Sequence, residues 1–364
     1  GGTGQQGNPG LKPLESKNYD VSMEWYYSEG SYVSAGYFRK DIDNYIGVTT
    51  ITDTPFSLPH PGQGAYFDAA VANGCPTSDL TCIRNYIFAT YNGQPVYRQT
   101  YHIDSEGGRV TPKAPAGADL YLFMGDSFMF GQGISDNETL PWLFAEANDG
   151  KVRALNLSAP GSAPNHLVRA FEAGLLDRYI GQPVKAVIVW IIPAQLARTT
   201  GDGSWLGSSP RYELLDGKLV HTGSFTEYRF THPVAGLKHY LGELFPFIAA
   251  IGEQQRQEEQ LKLFVAMMAR LQHYAREKLN APLVVVYSWP DEKVRGLYGD
   301  SPIDQSMLVD VIVQLRKMGI ELVRVDDFTS GKPDDKIMIP HDGHPTRYTN
   351  EMIAAELKRR LIRP

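Results

Sequence analysis

Leu120 to Met124 is an unbroken apolar run that stops at Gly125-Asp126-Ser127. Apolar residues at every position, rather than at every second one, mark a strand covered on both of its faces. Downstream, Asp136-Asn137-Glu138-Thr139-Leu140-Pro141 opens an amphipathic stretch, Trp142 to Ala147, that reads as a helix. Ser127 therefore falls at a strand-to-helix turn. Such a serine is held rigidly, partly exposed, and close to backbone N–H groups able to stabilise a developing negative charge. A glycine turn whose serine merely caps a helix has the same local sequence, so the rest of the chain has to decide.

Beyond a junction at Lys113-Ala114-Pro115-Ala116-Gly117-Ala118, strand and helix patterns alternate, which predicts a parallel sheet with helices on both faces. Val152 to Leu157 is a short second strand, and Pro164 to Tyr179 reads as a helix. Lys185 to Ile192 is a third, buried strand. From Thr199 to about Phe247 the alternation lapses into Gly, Ser, Pro and aromatic residues, as expected of an insertion or lid. It resumes with a long helix within Ala250–Leu279, the strand Leu283–Tyr287, a helix around Asp304–Met318, the strand Leu322–Val325 and a closing helix, Asn350–Leu361. The fold expected is α/β, a doubly wound parallel sheet in a three-layer sandwich, with a smaller mostly-β N-terminal region.

That N-terminal region has a different texture. Residues 1–18 read as a flexible leader, polar and rich in Gly and Gln at the start, and 19–115 as a mostly-β accessory region crowded with aromatics such as Tyr19, Trp25, Tyr26 and Tyr27. Ile87–Tyr91 and Val96–Ile103 flank Asn92-Gly93, a β-hairpin signal because Asn-Gly accepts the positive φ angles of a tight turn. Residues 116–364 form the main domain, with the insertion at about 199–247. The two cysteines, Cys75 and Cys82, are close enough for a small disulfide, which suits an oxidising, periplasmic or secreted location. No second ligand pair stands at metal spacing, so no metal or cofactor is expected. A net charge of −6 argues against nucleic acid or an anionic membrane as the main partner. No apolar run reaches the length of a membrane span, and oligomeric state is left open.

Ligands of doubly wound sheets bind at the carboxyl ends of the strands. The loops there are Gly125-Asp126-Ser127, Asn156-Leu157-Ser158-Ala159-Pro160-Gly161 and Pro193-Ala194-Gln195-Leu196-Ala197-Arg198. His341-Asp342-Gly343-His344-Pro345-Thr346 precedes the last helix. In that order the blocks resemble those of the SGNH (GDSL-type) hydrolases. The wording Phe-Met-Gly-Asp-Ser-Phe-Met-Phe-Gly-Gln-Gly, followed by Asn137-Glu138-Thr139-Leu140-Pro141, is similar to a bacterial branch of that family. The resemblance covers Asp119 to the C-terminus, apart from the insertion.

The resemblance implies that Ser127 is the nucleophile and His344 the general base and then acid, with an acidic side chain orienting the imidazole. Backbone N–H groups of Ser127 and Gly161 would face the oxyanion. Two departures stand out. The family's Gly-x-Asn-Asp after the third strand is replaced by Pro193-Ala194-Gln195, so Gln195, or else Asn165 or an amide from the insertion, is the candidate side-chain donor. Asp342 stands two residues before His344, where the family spacing is three; it is the acid assigned here. Asp126 reads as a support of the nucleophile turn, and Arg198 as a ligand for an acidic substrate or a surface ion pair. The function expected is a serine esterase removing small acyl groups, acetyl foremost, from a carbohydrate or related ester. Two alternatives are an O-acyltransferase acting on an extracellular or envelope polysaccharide, and a non-catalytic glycan-binding or assembly protein on a degenerate hydrolase fold.

Overall fold

Residues 15–28, 31–43, 86–91, 94–244, 253–288 and 305–362 are described by the computed structural model, and the chain divides into two units, Gly1–Gly64 and Ala65–Pro364. In the first, β1 (Glu15–Ser28) and β2 (Ser31–Asp43) pair antiparallel, with Val21 opposite Tyr37 and Trp25 opposite Val33. Cys75 and Cys82, and with them the expected disulfide, lie outside the described residues.

The described part of the second unit begins with an antiparallel hairpin, β3 (Tyr86–Tyr91) and β4 (Gln94–Thr100); the expected turn, Asn92-Gly93, lies outside the described residues. Then come β5 (Asp119–Met124), α1 (Ser127–Phe130), α2 (Leu140–Ala147), β6 (Val152–Asn156), α3 (Pro164–Glu172), β7 (Val184–Ile191) and α4 (Ala194–Arg198). After these follow β8 (Pro210–Leu215), β9 (Lys218–Ser224), α5 (Phe225–Thr231), α6 (Pro233–Leu244), α7 (Glu253–Leu279), β10 (Leu283–Tyr287), α8 (Gln305–Lys317), β11 (Glu321–Arg324) and α9 (Arg347–Leu361).

Five of these strands form one sheet in the order β11-β10-β7-β5-β6, and every neighbouring pair is parallel. In sequence terms the order is 2-1-3-4-5. The chain leaves β5 for one edge and, after β6, crosses back to build the other side. The loop after β5 therefore lies at the point where the winding reverses, the place where open α/β sheets leave a crevice for ligands. That is where Ser127 stands.

Why the apolar runs are continuous is now visible in the packing. Along β5, Leu120, Leu122 and Met124 join a core that includes Val168 and Phe171 of α3, Phe264 and Met268 of α7, and Leu315 of α8. The alternate residues Tyr121 and Phe123 face the other way, into a core with Leu143 and Phe144 of α2 and Ile353 and Leu357 of α9. Strand side chains alternate between faces, so a strand with helices on both sides needs an apolar residue at every position.

Two elements depart from the sequence expectation. The helix expected to run to Tyr179 ends at Glu172, before Gly174, and a separate short turn covers Asp177–Tyr179. The insertion is regular rather than irregular: β8 and β9 form a hairpin around Asp216-Gly217, followed by α5 and α6. An Asp-Gly pair between strand-forming runs is a strong hairpin signal, and here the surrounding Gly and Ser masked it. The β3–β4 hairpin, expected in the accessory region, packs within the second unit. Tyr97 shares a small cluster with Ile134 and Ile339, and its hydroxyl accepts a hydrogen bond from Gln132 Nε2 at 3.1 Å.

Candidate active site

Asp126 caps α1. Its Oδ1 accepts the Phe128 N–H at 3.0 Å, which fixes the turn that presents Ser127. Its Oδ2 takes a second bond, at 2.8 Å, from Nη1 of Arg198 on α4. The Asp126 side chain is fully buried and that of Arg198 is 11 % exposed, so this is an internal ion pair and neither of the roles expected for Arg198. The same Nη1 donates to the Ser162 carbonyl at 2.9 Å. One guanidinium thus ties the serine turn to the loop after β6. A main-chain bond from Ala159 N–H to the Gly125 carbonyl, 3.1 Å, draws the two loops together a second time, and Gly161 lies between these ties.

The far end of α1 is held from below. Asn156 Nδ2 donates to the Met129 and Phe130 carbonyls. Arg109, buried at 1 % exposure, donates to the carbonyls of Phe130, Gly131 and Ile134 and pairs with Asp136. Its guanidinium lies 4.2 Å from the centre of the Tyr101 ring. Neither Arg109 nor this role of Asn156 was expected. A lone arginine ahead of a strand carries no local pattern that marks it as a clamp.

The histidine loop closes on itself. Ile339 N–H donates to the His344 carbonyl, while Asp342 and Gly343 N–H both donate to the Ile339 carbonyl. This tight reversal requires positive φ at His341 (62°) and at Gly343 (84°), a region natural to glycine and uncommon for other residues. The bend brings Asp342 Oδ1 to 2.5 Å from His344 Nδ1, so the two-residue spacing is enough. The His341 ring is steadied by stacking on Tyr91 of β3, 4.1 Å between centroids. Burial raises the Tyr97 hydroxyl pKa, against the lowering effect of the Gln132 hydrogen bond, and the nearby Asp342 charge adds to the rise.

His344 is 8 % exposed, and its Nε2 is buried with no hydrogen-bond partner among the described residues. Its ring lies 5.2 Å from that of Phe128, the residue after Ser127. An imidazole held at Nδ1 by a carboxylate, with Nε2 unoccupied beside a serine turn, is the arrangement a proton-transfer base requires.

Two residues expected as oxyanion donors are engaged elsewhere. Gln195 is 2 % exposed, and its Nε2 donates to the Trp190 carbonyl at 3.3 Å, closing the end of β7. Asn165 has no exposed surface, and its Nδ2 donates to the Pro210 carbonyl at 2.7 Å, fastening α3 to the insertion hairpin. Both amides stand near the right strand ends. Each is drawn inward because an unpaired carbonyl there would be costly to bury.

A second serine–histidine contact, Ser209 Oγ to His166 Nε2 at 3.0 Å, is of another kind. His166 Nδ1 accepts the Ala163 N–H at 3.1 Å, so Nε2 carries the proton and donates to Ser209. Burial lowers the His166 pKa, and the Arg198 charge lowers it further. A folded-state pKa below the unfolded value contributes stability that is present above the unfolded pKa, about 6.5, and lost as pH falls toward the folded value. His166→Gln is expected to flatten the fall in unfolding free energy between about pH 7.5 and 5. Urea titrations at several pH values check this; equal slopes in the two proteins would contradict it.

Among the described residues no group of three or more His, Cys, Asp or Glu side chains is placed to hold a metal ion. A cleft lined by Arg211, Glu213, Tyr228, Glu258, Glu259 and Lys262 shares no residue with the serine turn. No helix among the described residues is long and apolar enough to cross a membrane.

Fold and site together define a doubly wound α/β protein with a serine turn and a buried histidine, paired with an aspartate, at the switch point of its sheet. A model of the TonB dependent receptor-like β-barrel matches residues 1–100, the span that ends with β4. No curated protein matches the chain. Among solved structures, the chain is similar to a member of the lipolytic protein G-D-S-L family from Veillonella parvula, at 10 % identity over 68 % of this chain and 100 % of that one, TM-score 0.39. It is also similar to the lipase/acylhydrolase from Enterococcus faecalis, at 14 % identity over 67 % and 97 %, TM-score 0.38. A third similar structure is a carbohydrate acetylesterase family member from Sinorhizobium meliloti, at 11 % identity over 66 % and 96 %, TM-score 0.35.

Proposed function

We propose that this chain is a serine ester hydrolase of SGNH type that removes small acyl groups, acetyl foremost, from a carbohydrate or related ester. The observation that carries the reading is His344: buried, bonded to Asp342 at Nδ1, and without a partner at Nε2 among the described residues, beside the Ser127 turn. His344 Nε2 takes the Ser127 hydroxyl proton as Oγ attacks the ester carbonyl carbon. The carbonyl oxygen becomes an oxyanion facing the N–H groups of Ser127 and Gly161. Collapse of the tetrahedral intermediate breaks the ester C–O bond, and His344 returns the proton to the departing alkoxide. Water, deprotonated by His344, then attacks the acyl-enzyme, and its proton passes to Ser127 Oγ as the acid leaves. Asp342 holds the imidazole tautomer throughout. The Oγ–Nε2 contact forms as substrate enters, a common tightening relative to an empty site.

A sugar hydroxyl in place of water would make the same acyl-enzyme an O-acyltransferase, and a silent site would leave a glycan-binding or assembly protein. The cysteine pair favours a periplasmic or secreted setting. Acetyl, butyryl and octanoyl p-nitrophenyl esters, assayed beside acetylated oligosaccharides, test the reading. Turnover is expected to be fastest on the short acyl groups, with acetate as the product. Acetyl passing to an added unacetylated oligosaccharide would favour transfer, and no turnover above the buffer rate would leave only binding.

A further inference from the structure

With Gln195 and Asn165 engaged inside the protein, the oxyanion site has main-chain donors and no assigned side chain. The insertion brings a candidate to it. Trp205 sits on the short turn Ser204–Leu206, anchored by its neighbour Leu206, which is 1 % exposed. The indole itself is 61 % exposed, an unusual place for so large an apolar ring. Its Nε1 stands 3.2 Å from the point a β-carbon on Gly161 would occupy. Gly161 has φ +79°, so a side chain there would be strained as well as crowded against the indole. The Arg198 guanidinium, already fixed by Asp126 and Ser162, lies 6.0 Å from the Trp205 ring centre. Ser127, Asp126, Arg198, Ser162, Gly161 and Trp205 thus form one continuous chain of neighbours.

The indole N–H has no acceptor among the described residues. It donates and cannot accept, so the partner it suits is an electron-rich oxygen arriving beside Gly161. We infer that Trp205 Nε1–H is the side-chain oxyanion donor of this site, supplied by the insertion in place of an amide after β7. The inference rests on the ester-hydrolase reading of Ser127. The donor strengthens as the ester oxygen gains charge in the tetrahedral intermediate, so its contribution falls on kcat rather than KM. A ring that only packed against the substrate would act on KM and would be replaced by phenylalanine at little cost.

The test compares wild type, Trp205→Phe, Trp205→His and Ser127→Ala in the full chain with p-nitrophenyl acetate. Trp205→Phe, which keeps an aromatic ring and removes the donor, is expected to lower kcat by about 10²-fold. KM should stay within about threefold, and Trp205→His should recover part of the loss. Wild-type kcat in Trp205→Phe, or a loss confined to KM, would overturn the inference while leaving the hydrolase reading intact. Wild type no faster than Ser127→Ala would remove both. A second reading uses the fluorophosphonate adduct of Ser127, whose phosphoryl oxygen stands in for the oxyanion. In ¹⁵N-labelled protein one indole N–H resonance, missing from Trp205→Phe, should move downfield on adduct formation, and an unmoved resonance would count against the assignment.

Discussion

Ser127→Ala is expected to lower kcat for p-nitrophenyl acetate by about 10⁴- to 10⁶-fold, because the acyl-enzyme can no longer form and the remaining groups do not substitute for it. The fold should be indifferent. The hydroxyl stands at the head of a four-residue helix whose cap is Asp126 and whose far end is held by Asn156 and Arg109. Its removal should change unfolding free energy by less than about 1 kcal/mol. Steady-state kinetics and urea denaturation on the same preparation check both parts. Activity within tenfold of wild type would mean that another group is the nucleophile.

The largest stability effect is expected at Arg198. Replacing it with alanine leaves the Asp126 carboxylate, fully buried, with the Phe128 N–H and no cation, and it leaves the Ser162 carbonyl without its donor. Breaking one side of a buried ion pair costs about 3–5 kcal/mol, most of it the burial of the charge left behind. Arg198→Ala should therefore lose about that much stability, and adding Asp126→Asn should return part of it by removing the uncompensated charge. Denaturant midpoints for the single and double variants check this. A loss below about 1 kcal/mol would mean that water reaches the pair and that the two loops are not fastened there.

Much of the fold was legible because each sheet strand announces itself locally. Leu120–Met124 of β5, Ala186–Ile191 of β7 and the whole of β10 are continuous apolar runs, and such runs require cover on both faces. The turn that carries Ser127 was legible because Gly125-Asp126-Ser127 closes an apolar strand, and the pairing of Asp342 with His344 because the two stand together in the loop before α9. The Asp342–His344 contact needed only a bend that Gly343 makes easy.

What escaped the sequence was what distant segments do to each other. Asp126 and Arg198 are 72 residues apart and meet only because β5 and β7 are adjacent in the sheet. Nothing within either loop distinguishes this internal pair from two surface charges. Gln195 and Asn165 sit at suitable positions, but position does not reveal whether an amide faces the crevice or a nearby main-chain carbonyl. Trp205 carries no local signal in the sequence, because it lies among the Gly and Ser of the insertion and its relation to Gly161 depends on where the insertion settles.

If His344 activates Ser127 as a nucleophile, a fluorophosphonate should trap that serine covalently. The full chain is treated with a fluorophosphonate and examined by intact mass and peptide mapping. A single adduct on the peptide carrying Ser127 is expected, absent from Ser127→Ala and formed much more slowly in His344→Ala. No adduct, or an adduct on another serine such as Ser209 that persists in Ser127→Ala, would contradict the account.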